Sequence, residues 1–536
     1  MPSANIFTLP YELRYEIYRH YFTLEGGYAF QSKPGKLATV DGRPIDLALI
    51  YTCRLMAEET KDLPLRLNTI SFSTVYQPEW SVWAGRFHYQ LDLQASIRSD
   101  LLLSKVREVT SDMYSQIALK FPRFLPMLKD AQEHPAPPAP WCRHDFQFNV
   151  GVHRCLSETL GNWHRWRESA SMINQAVSYT LRLITQAQGE EIPAWVDEEP
   201  ATHDILGFLN KAYEPWDIPS KSELTAMSFE LDDRSIWATI GRWRRKERWE
   251  KQRYREKFRF SAAAVAIQFL NSLPARVRLQ LRKMVLHEDH VSVAHQERHA
   301  RGLIPFCREN PGLRIERRVD VLNTIFQKSA LRALMTLPIS SQEEPNTRCE
   351  LDSRWIAQIV AEWLLEGLAT VDAGMPADAF TLVLDSGPAA DLCSDVFHQV
   401  VHHKLAWQTA LERCYNRGLL AAPSFDNPEY TFCEVSQDLW QALEHLSNQT
   451  SVLRCNFNPG QPWSVDKIFE ECCTWDIRKW WLAWSFIPVA QSFPVLPPLP
   501  DWSDTLRENF ELEPKNARSK SRKRHRAGGQ GGIQNS

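Results

Sequence analysis

The sequence predicts an α+β (or α/β) fold, in which an N-terminal helical module precedes a body of mixed helices and strands. Three observations predict it. Apolar residues recur at helical spacing near the start of the chain, in Leu9, Leu13, Ile17 and Tyr21. Further on, short alternating or continuous apolar segments are followed by longer stretches of helical period, and strand-then-helix order points to a mixed body. The last segment, rich in Gly, Gln, Lys and Arg, holds few apolar side chains, which predicts a disordered tail.

The first element is a helix. Pro10 suits a helix start, because its missing N–H would be unpaired there, and Glu12 places negative charge near the positive end of the helix dipole. Residues 23–46 are punctuated by Gly26, Gly27, Pro34, Gly35 and Gly42 and read as a loop. A second helix is expected over 46–63, with Leu49, Ile50, Cys53 and Met56 on one face and Pro64 ending it. Residues 68–75 alternate, Ile70 and Phe72 against Ser71 and Ser73, and predict a half-buried strand; 105–113 predicts another. Residues 132–141 form a proline-rich linker. Helical spacing covers 152–188, irregular chain 197–219, and helix again 222–273. A strand over 276–287, a helix over 352–369, a strand over 380–384 and a helix over 396–414 complete the body. The implied units are 1–66 (helical module), 67–131 (strand-containing connection), 132–219 (proline-bounded helical region), 220–504 (α/β body) and 505–536 (basic tail).

Composition narrows the function classes. Hydrophobic residues make up 43% and charged residues 24% of 536, so a sizeable core can form. Twenty tryptophans and 25 phenylalanines imply bulky aromatic packing. Lys and Arg total 62 against 65 Asp and Glu, a net charge of −3, which argues against a dedicated nucleic-acid partner. There is no leader-like start and no run of apolar residues long enough to span a bilayer, so an intracellular protein of nucleus, cytoplasm or both, without a membrane partner, is expected. The 11 cysteines lack C-x-x-C spacing and read as reduced thiols.

Leu9-Pro10-x-Glu12-Leu13 with Ile17, and Leu49-Ile50-x-Thr52-Cys53-Arg54-x-Met56, together resemble the two helical signatures of the large filamentous-fungal family of F-box-like proteins. The exit Asn68-Thr69-Ile70-Ser71-Phe72 is similar to that family's usual passage into a strand, and residues 257–322 are similar to a region that recurs in it. Met56 stands where tryptophan is common in the family, Thr52 where valine is, and the 24-residue connection between the helices is long. The resemblance implies a non-catalytic adaptor that docks a Skp-type subunit of a cullin–RING ubiquitin ligase through Leu9, Pro10, Leu13, Ile17 and Cys53, and holds an unknown substrate protein. No cofactor is implied. Two other readings stay open: an interaction or structural protein without a ligase partner, and a nuclear protein associated with nucleic acid through its basic segments.

Four further features carry chemistry-bearing residue types. His287, His290, His295 and His299 cluster with Glu288, Asp289 and Glu297, and His295 and His299 would share a helix face. The glutamate does not follow the H-E-x-x-H order and no third ligand stands at a standard spacing, so polar loop histidines, not a metal site, are expected; the same holds for His398 with His402. Residues 242–259 contain ten Lys/Arg against three Glu and read as a solvated helix whose stems cover apolar neighbours. Arg522, Lys523, Arg524 and Arg526 suit either a nuclear-localisation signal or a solubilising tail. Asp385-Ser386-Gly387 is half of a phosphodegron pattern and reads as a turn.

Overall fold

A mixed sheet with helices packed on it forms the body of the structure, a computed structural model that describes residues 6–133, 169–188, 213–227, 240–243, 253–329, 353–421, 438–485 and 502–513. Its strands are β1 (Tyr28–Gln31), β2 (Lys36–Thr39), β3 (Thr69–Ser73), β4 (Tyr254–Glu256), β5 (Lys283–Glu288), β6 (Arg314–Asp320), β7 (Phe380–Asp385), β8 (Leu453–Cys455) and β9 (Phe510–Leu512). Seven of them pair in the order β2-β1-β3-β5-β6-β7-β8, while β4 and β9 form a separate antiparallel ribbon. Only β1 and β2 run antiparallel within the large sheet; every other neighbour is parallel. From β3 to β8 each crossover advances in the same direction, and right-handed crossovers of that kind return along one face.

The strand period sets what that face buries. Ile70 and Phe72 of β3, Met284 and Leu286 of β5, Ile315 and Val319 of β6, and Leu382 and Leu384 of β7 are all nearly inaccessible. Their alternates Ser71, His287, Glu316, Arg318, Thr381 and Val383 keep contact with solvent. Two helices that contact the sheet strands are apolar over most of their length. The helix Ala262–Ser272 opens at the cap Ser261, whose hydroxyl accepts the Ala264 N–H, and buries seven residues. The helix Ser353–Asp372 buries Ile356, Ile359, Val360, Trp363 and Leu364. A cluster of helices packs apart from the sheet around Leu102, Met113, Ile117, Leu128 and Val177.

Several expectations are corrected. The loop 23–46 contains the β1–β2 hairpin, and β1 joins β3 so closely that a Cβ on Gly27 would lie 2.3 Å from the Thr69 carbonyl oxygen. The single helix over 46–63 is a 3-10 turn (Ala48–Tyr51) and two short helices, and Pro64 stands in the first turn of Leu63–Leu67 rather than ending its predecessor. Residues 105–113 form no strand: a 3-10 turn leads to Thr110, which caps the helix Ser111–Lys120 through its hydroxyl. The strand placed over 276–287 begins only at Lys283, after the short helix Ala275–Arg278. The helix placed over 222–273 gives way to β4 at Tyr254, and residues 505–512, placed in a disordered tail, form the end of the helix Trp502–Asn509 and β9. Of the linker placed over 132–141, residues 132 and 133 end the helix Leu125–Glu133, and the rest, like the basic cluster from Arg522 to Arg526, lies outside the described residues. Among the described residues no helix is long and apolar enough to cross a membrane.

The one-sided burial of the sheet has a measurable consequence. Leu384→Ala, on the covered face of β7, is expected to lose about 2–5 kcal/mol. Val383→Ala, its neighbour on the open face, is expected to lose about 1 kcal/mol or less. Urea denaturation of the two variants checks the difference.

Candidate functional site

The helix α1 (Tyr11–Phe22) has two faces of different fate. Pro10 sits just before it as the N-cap residue, and its carbonyl accepts the Arg14 N–H. On the inner face Tyr18 and Phe22 are sealed against Met56 and Leu63 in a small core of their own. Glu59, on the helix α2 (Arg54–Thr60), clamps α1 from the side: Arg14 donates to both its oxygens, with the shorter bond at 2.5 Å, and the Tyr18 hydroxyl donates at 2.8 Å. Arg14 holds the Glu59 carboxyl below the usual range, while burial and that carboxylate push the Tyr18 phenol up to about 12.

The outer face is open and mixed, with Leu13 and Ile17 exposed among Glu12, Glu16, Arg19 and His20. Leu13 is 53% exposed and Ile17 45% exposed, with Tyr11 and Tyr21 beside them in sequence. Tyr51 and Leu55, at the start of the second helical segment, are also exposed. Water would not leave so many large apolar side chains uncovered without a cost that burial on a partner removes. Leu9 is half-buried, and its carbonyl accepts a hydrogen bond from Arg14. Cys53 is exposed and caps α2, its sulfur accepting the Met56 N–H at 3.5 Å. The five residues singled out from sequence thus belong to one module, in which Pro10, Leu13, Ile17 and Cys53 are exposed and Leu9 is half-buried. Met56, where the resembled family has tryptophan, fills the module's core.

The other candidates are dispersed or put to internal use. Within residues 242–259 the described residues are not helical: 242 is a bend and 254–256 form β4. Arg255 pairs with Glu511 and stacks over Trp243 at 4.7 Å. Lys257 donates to the Arg507 carbonyl at 2.6 Å, and the buried Arg259 donates to the Glu508 carbonyl and to Asn509. These cations hold the chain's own C-terminal ribbon in place. His398 and His402 bind separate carbonyls, of Gln461 and Pro459. Asp385 ends β7, and the turn after it, closed by the Ala389 N–H on the Ser386 carbonyl, is held by the Asn456 side chain.

The four histidines of the 287–299 stretch part company as well. His287 stays on the open sheet face, and His290 faces Asp289. His295 does not share a helix face with His299: it adopts a left-handed conformation (φ +58°) at the entry to the 3-10 segment Gln296–Leu303. Its Nε2 lies 2.6 Å from Asp92 on the long helix Pro78–Lys105. His88, one turn earlier on that helix, completes a group of two imidazoles and a carboxylate whose ligand atoms fall within 4.8 Å of one another. This meeting was missed from sequence; the only trace is the i,i+4 spacing of His88 and Asp92.

That group has the residue types of a metal site, and the Glu297 carboxylate backs His295 at 3.6 Å, but among the described residues nothing of the kind backs His88. A ligating imidazole donates its other N–H to a carboxylate or carbonyl. His88 does the reverse, accepting the Ala294 N–H at Nδ1 at 3.1 Å, so the proton of the neutral ring occupies Nε2, the nitrogen that faces Asp92. His295 and Asp92 remain a hydrogen-bonded pair.

Several imidazoles are held below the ordinary histidine value in the fold. Burial, with Arg317 nearby, holds His299 down to about 3, and burial holds His402 and His403 down to about 4; His88 and His287 are also lowered, chiefly by burial. Each of these gains a proton more readily when unfolded, so its contribution to stability is complete above the ordinary histidine value and falls as pH drops toward the folded one. His295, raised by Asp92 and Glu297 against desolvation and Arg298, works in the opposite sense and loses its contribution as pH rises. The lowered group outnumbers it, so unfolding free energy is expected to fall by at least about 2 kcal/mol between pH 7 and pH 5. Urea melts at the two pH values measure this directly, and equal stabilities would refute it.

Comparison with known proteins returns no match, whether to family models, to curated proteins or to solved structures.

Proposed function

We propose that the chain is a non-catalytic, F-box-like adaptor that docks a Skp-type subunit of a cullin–RING ubiquitin ligase with its N-terminal module and holds a substrate protein with its body. The observation that carries this reading is the division of α1. The same helix that seals Tyr18 and Phe22 inside leaves Leu13 and Ile17 to solvent. A helix retained only to cap the body would have no use for that outer stripe. The sequence signature around Leu9, Pro10, Leu13, Ile17 and Cys53 names the partner by resemblance.

The mechanism is proximity. Holding a substrate beside a ubiquitin-loaded enzyme raises its effective concentration there without any chemistry by the adaptor. The β1–β2 hairpin, inserted between the module's helices, pairs with β3 of the body sheet. A partner seated on α1 is therefore fixed in orientation relative to the sheet, which suits presentation of a bound substrate. The adaptor works inside the cell, in nucleus, cytoplasm or both, with Arg522, Lys523, Arg524 and Arg526 as the residues that suit a nuclear address.

A pull-down with the purified Skp-type subunit tests the reading. Wild type is expected to bind, and Leu13→Asp with Ile17→Asp to abolish capture while changing unfolding free energy by no more than about 0.5 kcal/mol per site, as for exposed positions. Failure of the wild-type chain to bind, with its fold intact by circular dichroism, rejects the ligase role.

A further inference from the structure

The corner at Ala294 and His295 is held by three imidazoles in three different roles. Both residues are left-handed, at φ +62° and +58°, a conformation that non-glycine residues adopt only when their surroundings impose it. The Ala294 N–H donates to Nδ1 of His88 at 3.1 Å. The Ala294 carbonyl accepts from Nε2 of His299 at 2.8 Å, and Nδ1 of His299 accepts the Ser261 hydroxyl at 2.6 Å. His295 reaches Asp92 through Nε2 at 2.6 Å and faces Glu297 with Nδ1 at 3.6 Å.

These partners fix where the protons sit. His88 must be neutral, because an imidazolium has no lone pair to offer the Ala294 N–H. His295 lies between two carboxylates and is served best as the cation, with a donor toward each. The helix Pro78–Lys105 therefore meets the corner through one bond that requires an unprotonated ring and one that prefers a protonated ring.

We propose that this corner is an acid-loosened latch: a proton added to Nδ1 of His88 displaces the Ala294 N–H and breaks one of the two ties between residues 290–299 and the helix Pro78–Lys105, leaving the His295–Asp92 pair as the remaining one. Two N–H groups would then face each other where a donor met an acceptor. With that bond gone, the left-handed pair loses one of the constraints that impose it. The His88 side chain is 35% accessible, so the proton arrives from water without global unfolding.

The surrounding charges place that loosening on the acid side of neutrality. On its own helix His88 faces Asp92; from the corner it faces His295 and Glu297, and from beyond β6 it faces Lys328. Arg298 adds to the positive field around His295, while Glu362 and Glu366 of the helix Ser353–Asp372 face Lys328 and Arg298. Burial, His295 and Lys328 outweigh the acids and keep His88 below the ordinary histidine value. The ring is thus an acceptor at neutral pH and loses that role only on acidification.

Amide hydrogen exchange on the full chain at pH 7.0 and 5.0, corrected for the intrinsic rate, tests the latch. Protection of residues 290–299 is expected to fall at least tenfold at pH 5.0, while β6 stays protected. His88→Asn, whose amide oxygen takes the place of Nδ1 and does not titrate, is expected to keep neutral-pH protection and abolish the acid response. His88→Phe is expected to expose the segment at both pH values. Unchanged protection of 290–299 in the wild type, equal loss in β6, or a wild-type acid response in His88→Asn would each overturn the proposal.

Discussion

Glu288 and Arg317 meet in a place that water does not reach, both side chains fully buried, and the layout of the body depends on their meeting. Glu288 ends β5. Its Oε1 accepts two hydrogen bonds from Arg317 of β6, at 2.7 and 2.9 Å, and the carboxylate also takes the N–H groups of Ala262 and Ala263 at the start of the helix Ala262–Ser272. A carboxylate suits that position twice over, as the partner of a guanidinium and as the negative charge at a helix N-terminus. Arg317 continues the network to the Gln296 and Glu297 carbonyls and lies 4.8 Å over the Trp363 ring. Two strands, two helices and the 3-10 segment are joined through one ion pair.

The positions of both candidate sites follow from this node. It fixes the 3-10 segment against the strand ends, and with it the left-handed corner that meets the helix Pro78–Lys105. It also fixes β5 beside β6, and β5 pairs in turn with β3, on which the N-terminal hairpin rests. The N-terminal helical module is therefore tied to the body sheet through the β1–β2 hairpin. The exposed Leu13 and Ile17 of its first helix and the left-handed corner at Ala294 and His295 stand on opposite sides of β3 in the chain.

Legibility from sequence tracked the range of the forces involved. The alternation at Ile70 and Phe72, the helical run through Ile359 and Trp363, and the stripe of Leu13 and Ile17 are local patterns and read correctly. The β1–β2 hairpin did not, because two four-residue strands between glycines carry too little period to stand out from a loop. Thr110 was a helix cap hidden inside an apparent strand pattern. β4 pairs with β9 far along the chain, so nothing near Tyr254 announced it. Arg317 carried an overlooked signal. It falls in the inward register between Ile315 and Val319, and an arginine in a core row demands a buried acid. The encounter of His88 and Asp92 with His295 is set by packing of distant elements, which a single sequence does not state.

A double-mutant cycle at Glu288 and Arg317 tests the dependence on this pair most directly. Glu288→Ala and Arg317→Ala are each expected to cost about 3–5 kcal/mol, because either change strands a charge in the core. The double variant is expected to fall well short of the sum, with a coupling of at least about 2 kcal/mol. Additive losses, measured by urea denaturation, would show that the two residues stabilise the fold independently and would contradict the account.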